Sequence, residues 1–542
     1  MTQVAGVERA QKPVVPTRAP VMWVGFGAVL AVFAVLAWNR RWMADDGLIV
    51  LRTVRQILAG NGPVYNIGER VEVNTSPLWT AVLTVPAFVF PFVSLEWLAV
   101  VTGLACALGG VFLGLDAARR LHGGTVLPAG ALVVCALTPF LDFATSGLET
   151  GLIMLWLSGT WWLLVRGGSW PVALVAGLGP LVRPDLTVVS VVVFGALLVL
   201  RKPGWRRGLG LAAVAAALPL AYQVFRMGYY GLLTPNPALV KEASDANWAR
   251  GLAYLGNLLQ PQLVWLPVLV LLALVRGRRV LVAAPLVASA LLAVYVVRVG
   301  GDFMHGRMLL PSLFCLLLPV FAVPVSRRLL VLLVAVWAVA AGGWLRPPFA
   351  SQAGVTDERA YWVAVTGHEH PVAAADFAGY DLVPGALAAV ARTTSPTTLA
   401  FDRDRHEWLA YGTDRPYTTV SVGTLGATGL LVGLDVRVVD SYGLASATGS
   451  HVQPLPEGRT GHQKWLPPEW QIEDSGGDVR FAPSVREALD CPALREIEDS
   501  ARAPLTAGRF FSNLAGAFGR QGVRFARDPE VARTCALPTV AE

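Results

Sequence analysis

Apolar runs of membrane-spanning length recur through the first 345 residues, and short knots of arginine separate them. The first run is Val21 to Trp38; eleven more follow, near 78–94, 95–118, 125–143, 147–165, 170–183, 186–200, 209–227, 258–275, 280–297, 308–325 and 329–345. Arg119-Arg120, Arg166, Arg201-Lys202 with Arg206-Arg207, Arg276 to Arg279, and Arg327-Arg328 fall at alternate connections, so one side of a membrane can hold all five knots. That topology requires 78–94, interrupted by Pro86 and Pro91, not to cross, and about eleven transmembrane helices remain. Residues 1–20, with Arg9, Lys12 and Arg18 against a single acid, read as a cytoplasmic tail. Residues 21–345 form the membrane domain, and an odd number of crossings sends 346–542 to the far side. There Pro, Gly, Asp, Glu and His become common, and alternation from Leu430 to Asp440 predicts a strand in a C-terminal extracytoplasmic mixed α/β domain.

Composition fits that pattern. Of 542 residues 54% are hydrophobic and only 15% charged, with a mean hydropathy of +0.53, which excludes a soluble globular chain. The net charge of +7 does not point to nucleic acid, because the basic residues mark connections and form no continuous surface. Cys106, Cys135 and Cys315 sit in apolar runs, whereas Cys491 and Cys535 lie in the polar part. On the outer side those two can pair, closing a loop worth about 4 kcal/mol in the chain-entropy model. No cysteine spacing resembles a zinc site.

Candidate chemistry collects at the outer face. Asp45 and Asp46 stand just beyond the first run, where carboxylates stay ionised and can meet a lipid head group. The plainer reading is that they cap the next helix. Glu149 follows in an outer loop, and Arg183-Pro184-Asp185 reads as a Pro-terminated hairpin with a snorkelling arginine. Lys241 is the one lysine of the outer loops and suits a lipid phosphate. Gly300 to Arg307 presents Asp302, His305 and Arg307 in a tight turn, either as a phosphate site or as an ion pair that holds the turn. Farther on, Trp465 and Trp470, with His462, are candidates to stack on sugars, although buried Trp is the commoner case.

The strings ADDGLIVLRTVRQILAGNGPVYNIGERVEVNTS, FATSGLE, FRMGYYGLLTPNPALVKEA, GGDFMHGRMLL and GLDVRVVDSYGLA resemble the mycobacterial terminal β-(1→2)-arabinofuranosyltransferase family, within the GT-C superfamily of polyprenyl-phosphate-dependent glycosyltransferases. The resemblance implies a GT-C fold in the plasma membrane with its site on the periplasmic side. It implies decaprenyl-phospho-arabinofuranose as donor, and as acceptor the non-reducing ends of arabinan in arabinogalactan and lipoarabinomannan. The family's acidic pair falls on Asp45 and Asp46 and its loop lysine on Lys241. The residues then suggest Asp45 as base with Asp46 supporting it, and Lys241, His305 and Arg307 on the donor phosphate. Glu149, Asp302 and Asn74 are the supporting or acceptor-side residues. No cofactor is required, and a divalent cation would find only a thin ligand set in one acidic pair. A β-configured donor and a β-linked product mean net retention, which one in-line displacement does not give. The alternatives are a polyprenyl-phosphate-sugar transferase of other specificity and a lipid-linked glycan transporter. The second is disfavoured because the charges gather at one boundary and not at the midplane.

Overall fold

The computed structural model describes residues 19–241, 246–273, 279–345, 354–455, 462–477 and 482–535. Most of the expected tail, with Arg9, Lys12 and Arg18, lies outside the described residues, as do Arg276 and Arg278. Among the described residues six helices are long and apolar enough to cross a membrane: Val21–Trp38, Leu95–His122, Pro184–Arg201, Trp205–Tyr230, Arg279–Arg298 and Val325–Gly343. The chain is a polytopic helical membrane protein. Both faces of these helices are apolar: Val21–Trp38 buries Phe26 and Phe33 yet leaves Val24, Val32 and Val35 exposed, which suits lipid and not water. Leu95–His122 lies along Thr150–Arg166 on glycines, since a methyl on Gly110 would sit 2.6–2.8 Å from the backbone of Met154 and Leu155.

Several other apolar runs are shorter or broken. Pro77–Val89 has 13 residues and contains Pro86, which gives it about 20 Å of helix against the ~30 Å of a hydrocarbon core. The run 125–143 divides at Leu137 into Gly130–Ala136 and Thr138–Phe143, and Pro139 opens the second piece.

The polar C-terminal part is mixed α/β. Its strands lie in the order Glu407–Gly412, Thr397–Asp402, Thr419–Ser421, Arg437–Val439; the first two form an antiparallel hairpin and the other pairings are parallel. The strand expected across Leu430 to Asp440 is corrected by the structure. Only Arg437–Val439 is strand, while Leu430 and Leu431 end the helix Leu425–Leu431. The cause is tertiary, because the carbonyls of Leu430 and Val436, which a ladder would have needed, accept from Arg55 and Arg52. Cys491 and Cys535 form a disulfide that ties Pro492–Arg502 to the end of the described chain.

This C-terminal part does not build its core alone. Ile49, Tyr65, Val71 and Val73, from the stretch after the first span, are packed with Val420, Val438, Leu466 and Trp470. Conversely Trp362, Phe377 and Ala427 belong to the core of the membrane part. Buried charge reinforces the joint: Glu69 takes both Nε and Nη2 of Arg437 at 3.0 Å, and its Oε2 also accepts from Arg502 at 3.4 Å.

The closest joint is between Asp45–Leu58 and Leu425–Leu431, which run side by side in the same direction. The Asp45 carboxylate accepts from the first N–H groups of the shorter helix, Gly426 at 3.1 Å and Ala427 at 2.8 Å. At the other end Arg52 donates to Gly429 and Val436, and Arg55 to Leu430 at 2.7 Å. An acidic group thus meets the positive pole of the helix dipole and two positive charges meet its negative pole. Gly426 and Gly429 permit the approach, since a methyl at either would run into the Asp45 carbonyl or the Tyr65 hydroxyl. Gly426→Ala should therefore lower the thermal midpoint: overpacking costs about 1–3 kcal/mol, more than the ~1 kcal/mol that alanine gains in helix propensity. A variant as stable as the parent would show that the helices are not pinned at backbone distance.

Candidate active site

The first turn of Asp45–Leu58 opens onto a cavity of about 100 Å³, several times the ~10–15 Å³ that one water needs. Its walls come from separate parts of the chain: Asp46, Asn74 to Ser76, Glu149, Lys241, Phe303, Arg307 and His462. Asp46 is about one-third exposed, and its Oδ2 lies 3.7 Å from Nη1 of Arg307. Asp302 flanks the same guanidinium, with Oδ2 3.8 Å from its Nε, and is itself oriented by the Phe303 N–H at 2.8 Å. Both contacts are ion pairs longer than a hydrogen bond. Nε of Arg307 is buried and has no hydrogen-bond partner among the described residues. A buried guanidinium with an unused donor is poised for a further anion.

Lys241 follows the short helix Asn236–Val240, and its ammonium stands 5.9 Å from the Phe303 ring centroid. That helix is fixed by Asn236, whose amide donates to Gly443 at 2.8 Å and Leu444 at 2.9 Å in the C-terminal part. Glu149 is buried and 3.5 Å from Nη1 of Arg183. Asn74 donates to Thr80 at 3.3 Å, and its buried Oδ1 has no partner among the described residues. Glu149, Asn74 and Asp302 thus come together around Asp46 and Arg307, beside Lys241.

Four expectations are corrected. Asp45 does not line the cavity: the two acids point about 100° apart, as helix neighbours must, and Asp45 faces the 425 helix while Asp46 faces the cavity. Burial pushes the Asp45 carboxyl up to about 7, against the pull of the N–H groups of Ala427 and Gly426. Capping is real for Asp45, but the helix it caps is not its own. His305 is absent from the cavity wall; its N–H bonds Thr356 at 3.0 Å, its ring meets the Asn257 backbone, and burial lowers its pKa, all of which suit a structural imidazole. Trp470 is fully buried, with its indole N–H on Arg527 at 2.9 Å and its ring against Phe525, so it cannot stack on a sugar. Arg183 does not snorkel: it is buried in a bidentate pair with Asp185, 2.7 Å on both arms, beside Glu149.

Trp465 lines a second cavity, of about 630 Å³, with Phe401, Tyr411, Tyr442, Asp402, Glu469 and Gln471. Tyr442 separates it from the first: its ring meets His462 edge-on at 4.5 Å and Trp465 at 5.8 Å.

The profile of the AftB family C-terminal domain matches residues 385–534. The terminal beta-(1->2)-arabinofuranosyltransferase of Mycobacterium tuberculosis is 36% identical to the chain, over 94% of this chain and 96% of that protein. The chain belongs to this family. The enzyme of the same description from Corynebacterium glutamicum is also 36% identical, over 89% of this chain and 83% of that protein. Among solved structures, ArnT from Cupriavidus metallidurans bound to undecaprenyl phosphate superposes with a TM-score of 0.46 at 18% identity, over 78% of this chain and 90% of that one. The protein is an arabinofuranosyltransferase, a glycosyltransferase.

A glycosyltransferase site needs a group that accepts the acceptor's proton and positive charge for the leaving group. Asp46 fits the first need and Arg307 with Lys241 the second. Among the described residues no group of three or more His, Cys, Asp or Glu side chains is placed to hold a metal ion. Sequence reading assigned Arg183 only a snorkelling role and offered nothing at Glu358, which stands in a stretch without any motif and reaches the site only through the fold. Asp46→Asn should lower turnover by roughly 10²–10⁴-fold with an unchanged melt. Asp45→Asn should keep turnover near the parent's and lose about 0.5–2 kcal/mol of stability. Initial rates and thermal melts of the two variants, measured together, decide the assignment, and the reverse pattern would restore Asp45 as the base.

Proposed function

We propose that the first cavity is the transfer site for an arabinofuranosyl unit carried on decaprenyl phosphate, that the acceptor is the non-reducing end of cell-wall arabinan in arabinogalactan and lipoarabinomannan, and that the bond made is the terminal β-(1→2) linkage. The observation that carries this reading is the Arg307 guanidinium, held between Asp46 and Asp302 with its Nε–H unused, on a cavity that Lys241 also lines. A departing phosphate is stabilised by cations fixed beforehand where little water competes. Asp46 takes the proton of the acceptor hydroxyl, and Lys241 and Arg307 hold the phosphate in the ground state and more tightly as it leaves. These two cations supply the charge that a metal would otherwise bring, and the reading requires no cofactor. Retention, implied by a β donor and a β product, calls for same-face departure or for two displacements through a cavity carboxylate, Asp46 or Glu149.

The polyprenyl chain leaves the site through a neighbouring, mainly apolar cavity of about 190 Å³, which shares Val73 and Asn74 with the first and is walled by Ile57, Pro77, Ala81 and Phe225. In this reading the fold is of GT-C type. It counts the six long helices together with the shorter or broken runs at 125–143, 147–165, 170–183, 258–275 and 308–325 as eleven crossings of the plasma membrane, with the site and the sheet on the periplasmic side. The larger cavity takes the arabinan chain behind its reacting end: aromatic faces at Phe401, Tyr442 and Trp465 stack on furanose rings, while Asp402, Glu469 and Gln471 accept from or donate to hydroxyls.

Purified enzyme with a synthetic polyprenyl-phospho-arabinofuranose and a short arabinan tests this directly, and failure to form a β-(1→2) product would remove it. Lys241→Ala should raise the donor KM and lower turnover together, because its contact exists before and during departure of the phosphate. Trp465→Ala should raise KM for long arabinan by roughly 2–10-fold, the worth of one aromatic contact, and leave the donor KM unchanged. Equal effects of Trp465→Ala on both substrates would take the acceptor out of the larger cavity.

A further inference from the structure

Behind the Asp46–Arg307–Asp302 cluster stands a third acid, Glu358, at the start of the helix Glu358–Thr366. The backbone ties it there: Thr356 donates to the Phe303 carbonyl at 2.8 Å and accepts from the His305 N–H at 3.0 Å, so the chain just before Glu358 is bridged to the turn that carries Asp302 and Arg307. Asp357 caps the helix through the Ala360 N–H at 3.0 Å, which fixes the direction of its first turn. Glu358 is only 9% exposed. Its Oε1 accepts from the Trp362 indole at 3.2 Å, and that indole is wedged against Phe377 and Tyr380 with ring centroids 4.9 and 5.0 Å away. Its Oε2 is buried and has no hydrogen-bond partner among the described residues. A buried carboxyl oxygen left without a partner is costly, and fixing one beside a functional cluster calls for a reason.

We propose that Glu358 is a positioning residue of the transfer site, acting through Arg307 and Asp46: its charge state governs whether Arg307 is shared with a third carboxylate or left for the donor phosphate. The inference rests on the assignment of that cavity as the transfer site. The charged groups facing Glu358 are Asp46 from the helix Asp45–Leu58 and Arg307 and Asp302 from the turn; on its own helix its contact is the Trp362 indole. Burial first, and then the Asp46 charge, push the Glu358 carboxyl up to about 8. At neutral pH it is therefore a neutral acid, and the cluster carries no third negative charge. Above about 8 it ionises, and the new carboxylate draws on the one guanidinium that the phosphate needs.

The sign of the linkage follows. Between the ordinary carboxyl value near 4.5 and about 8, the native state keeps a proton that the unfolded chain has lost. Stability from this group is present at low pH and is lost as pH rises through that window.

The test is the pH profile of donor kcat/KM in the full-length enzyme, with a synthetic polyprenyl-phospho-arabinofuranose and a short arabinan. The parent should lose at least about fivefold between roughly pH 7 and 9.5, whereas Glu358→Gln, which keeps the Trp362 bond but cannot ionise, should lose less than about twofold and match the parent at pH 7. The Gln variant should also show a flatter melting temperature across the window. A measurement on the parent alone guards against misfolding of the variant: the thermal shift given by polyprenyl phosphate should shrink as pH rises through about 8. An alkaline limb that is identical in the Gln variant, or missing from the parent, overturns the proposal. So does loss of activity at pH 7 in a Gln variant that melts normally. If instead Asp46→Asn keeps the parent's rate, the cavity is not the transfer site and the underlying assignment falls, whatever Glu358 does.

Discussion

The structure turns on the clasp between Asp45–Leu58 and Leu425–Leu431. A seven-residue helix has little stability of its own, since nucleation costs more than so few bonds return. Here its N-terminal N–H groups are closed by Asp45 and its last carbonyls by Arg52 and Arg55. The helix that delivers the chain from the first span therefore acts as the cap, at both ends, of a helix almost four hundred residues later. Because Asp45 is used in this way, Asp46 is turned by one helical step into the cavity.

Interlocking of this kind explains why the site is composite. Asp46 and Asn74 come from the stretch after the first span, Glu149 from the next loop, and Lys241 and Arg307 from loops farther on, while His462 closes the wall from the C-terminal part. None of these stretches could hold its side chain at the cavity by local structure. Lys241 is set by Asn236 gripping the 443–446 backbone, and Arg307 by a turn bridged to Thr356.

Charge at the site is arranged so that one guanidinium is underused. Arg183 is saturated by Asp185 and joined by Glu149, and Arg226 is saturated by Glu72. Arg307 alone among these buried guanidiniums meets its carboxylates only at 3.7 and 3.8 Å. In a low-dielectric wall such loose pairing leaves electrostatic attraction for a third partner without the cost of an isolated buried charge. The structural arginines and the cavity arginine differ in geometry and not in sequence context.

The amino-acid sequence by itself determined that this is a polytopic helical membrane protein with a polar, mixed C-terminal part, because lipid imposes long apolar helices and those are written in composition and run length. It also singled out the loops that meet at the first cavity, since an acid pair, a lone lysine and an acid-and-arginine turn stand out where everything else is apolar. What only the tertiary structure decided was orientation and partnership. Asp45 and Asp46 are equivalent as neighbours in a string, and nothing local says which of them meets a helix N-terminus from the far end of the chain. Arg183 and Trp470 had bland surface or sugar-facing readings because burial depends on what packs over them, and Leu430 to Asp440 alternated like a strand until Arg52 and Arg55 claimed its carbonyls. Glu358 carried no motif at all, and it stands behind the site through a backbone bridge between segments that sequence spacing does not relate.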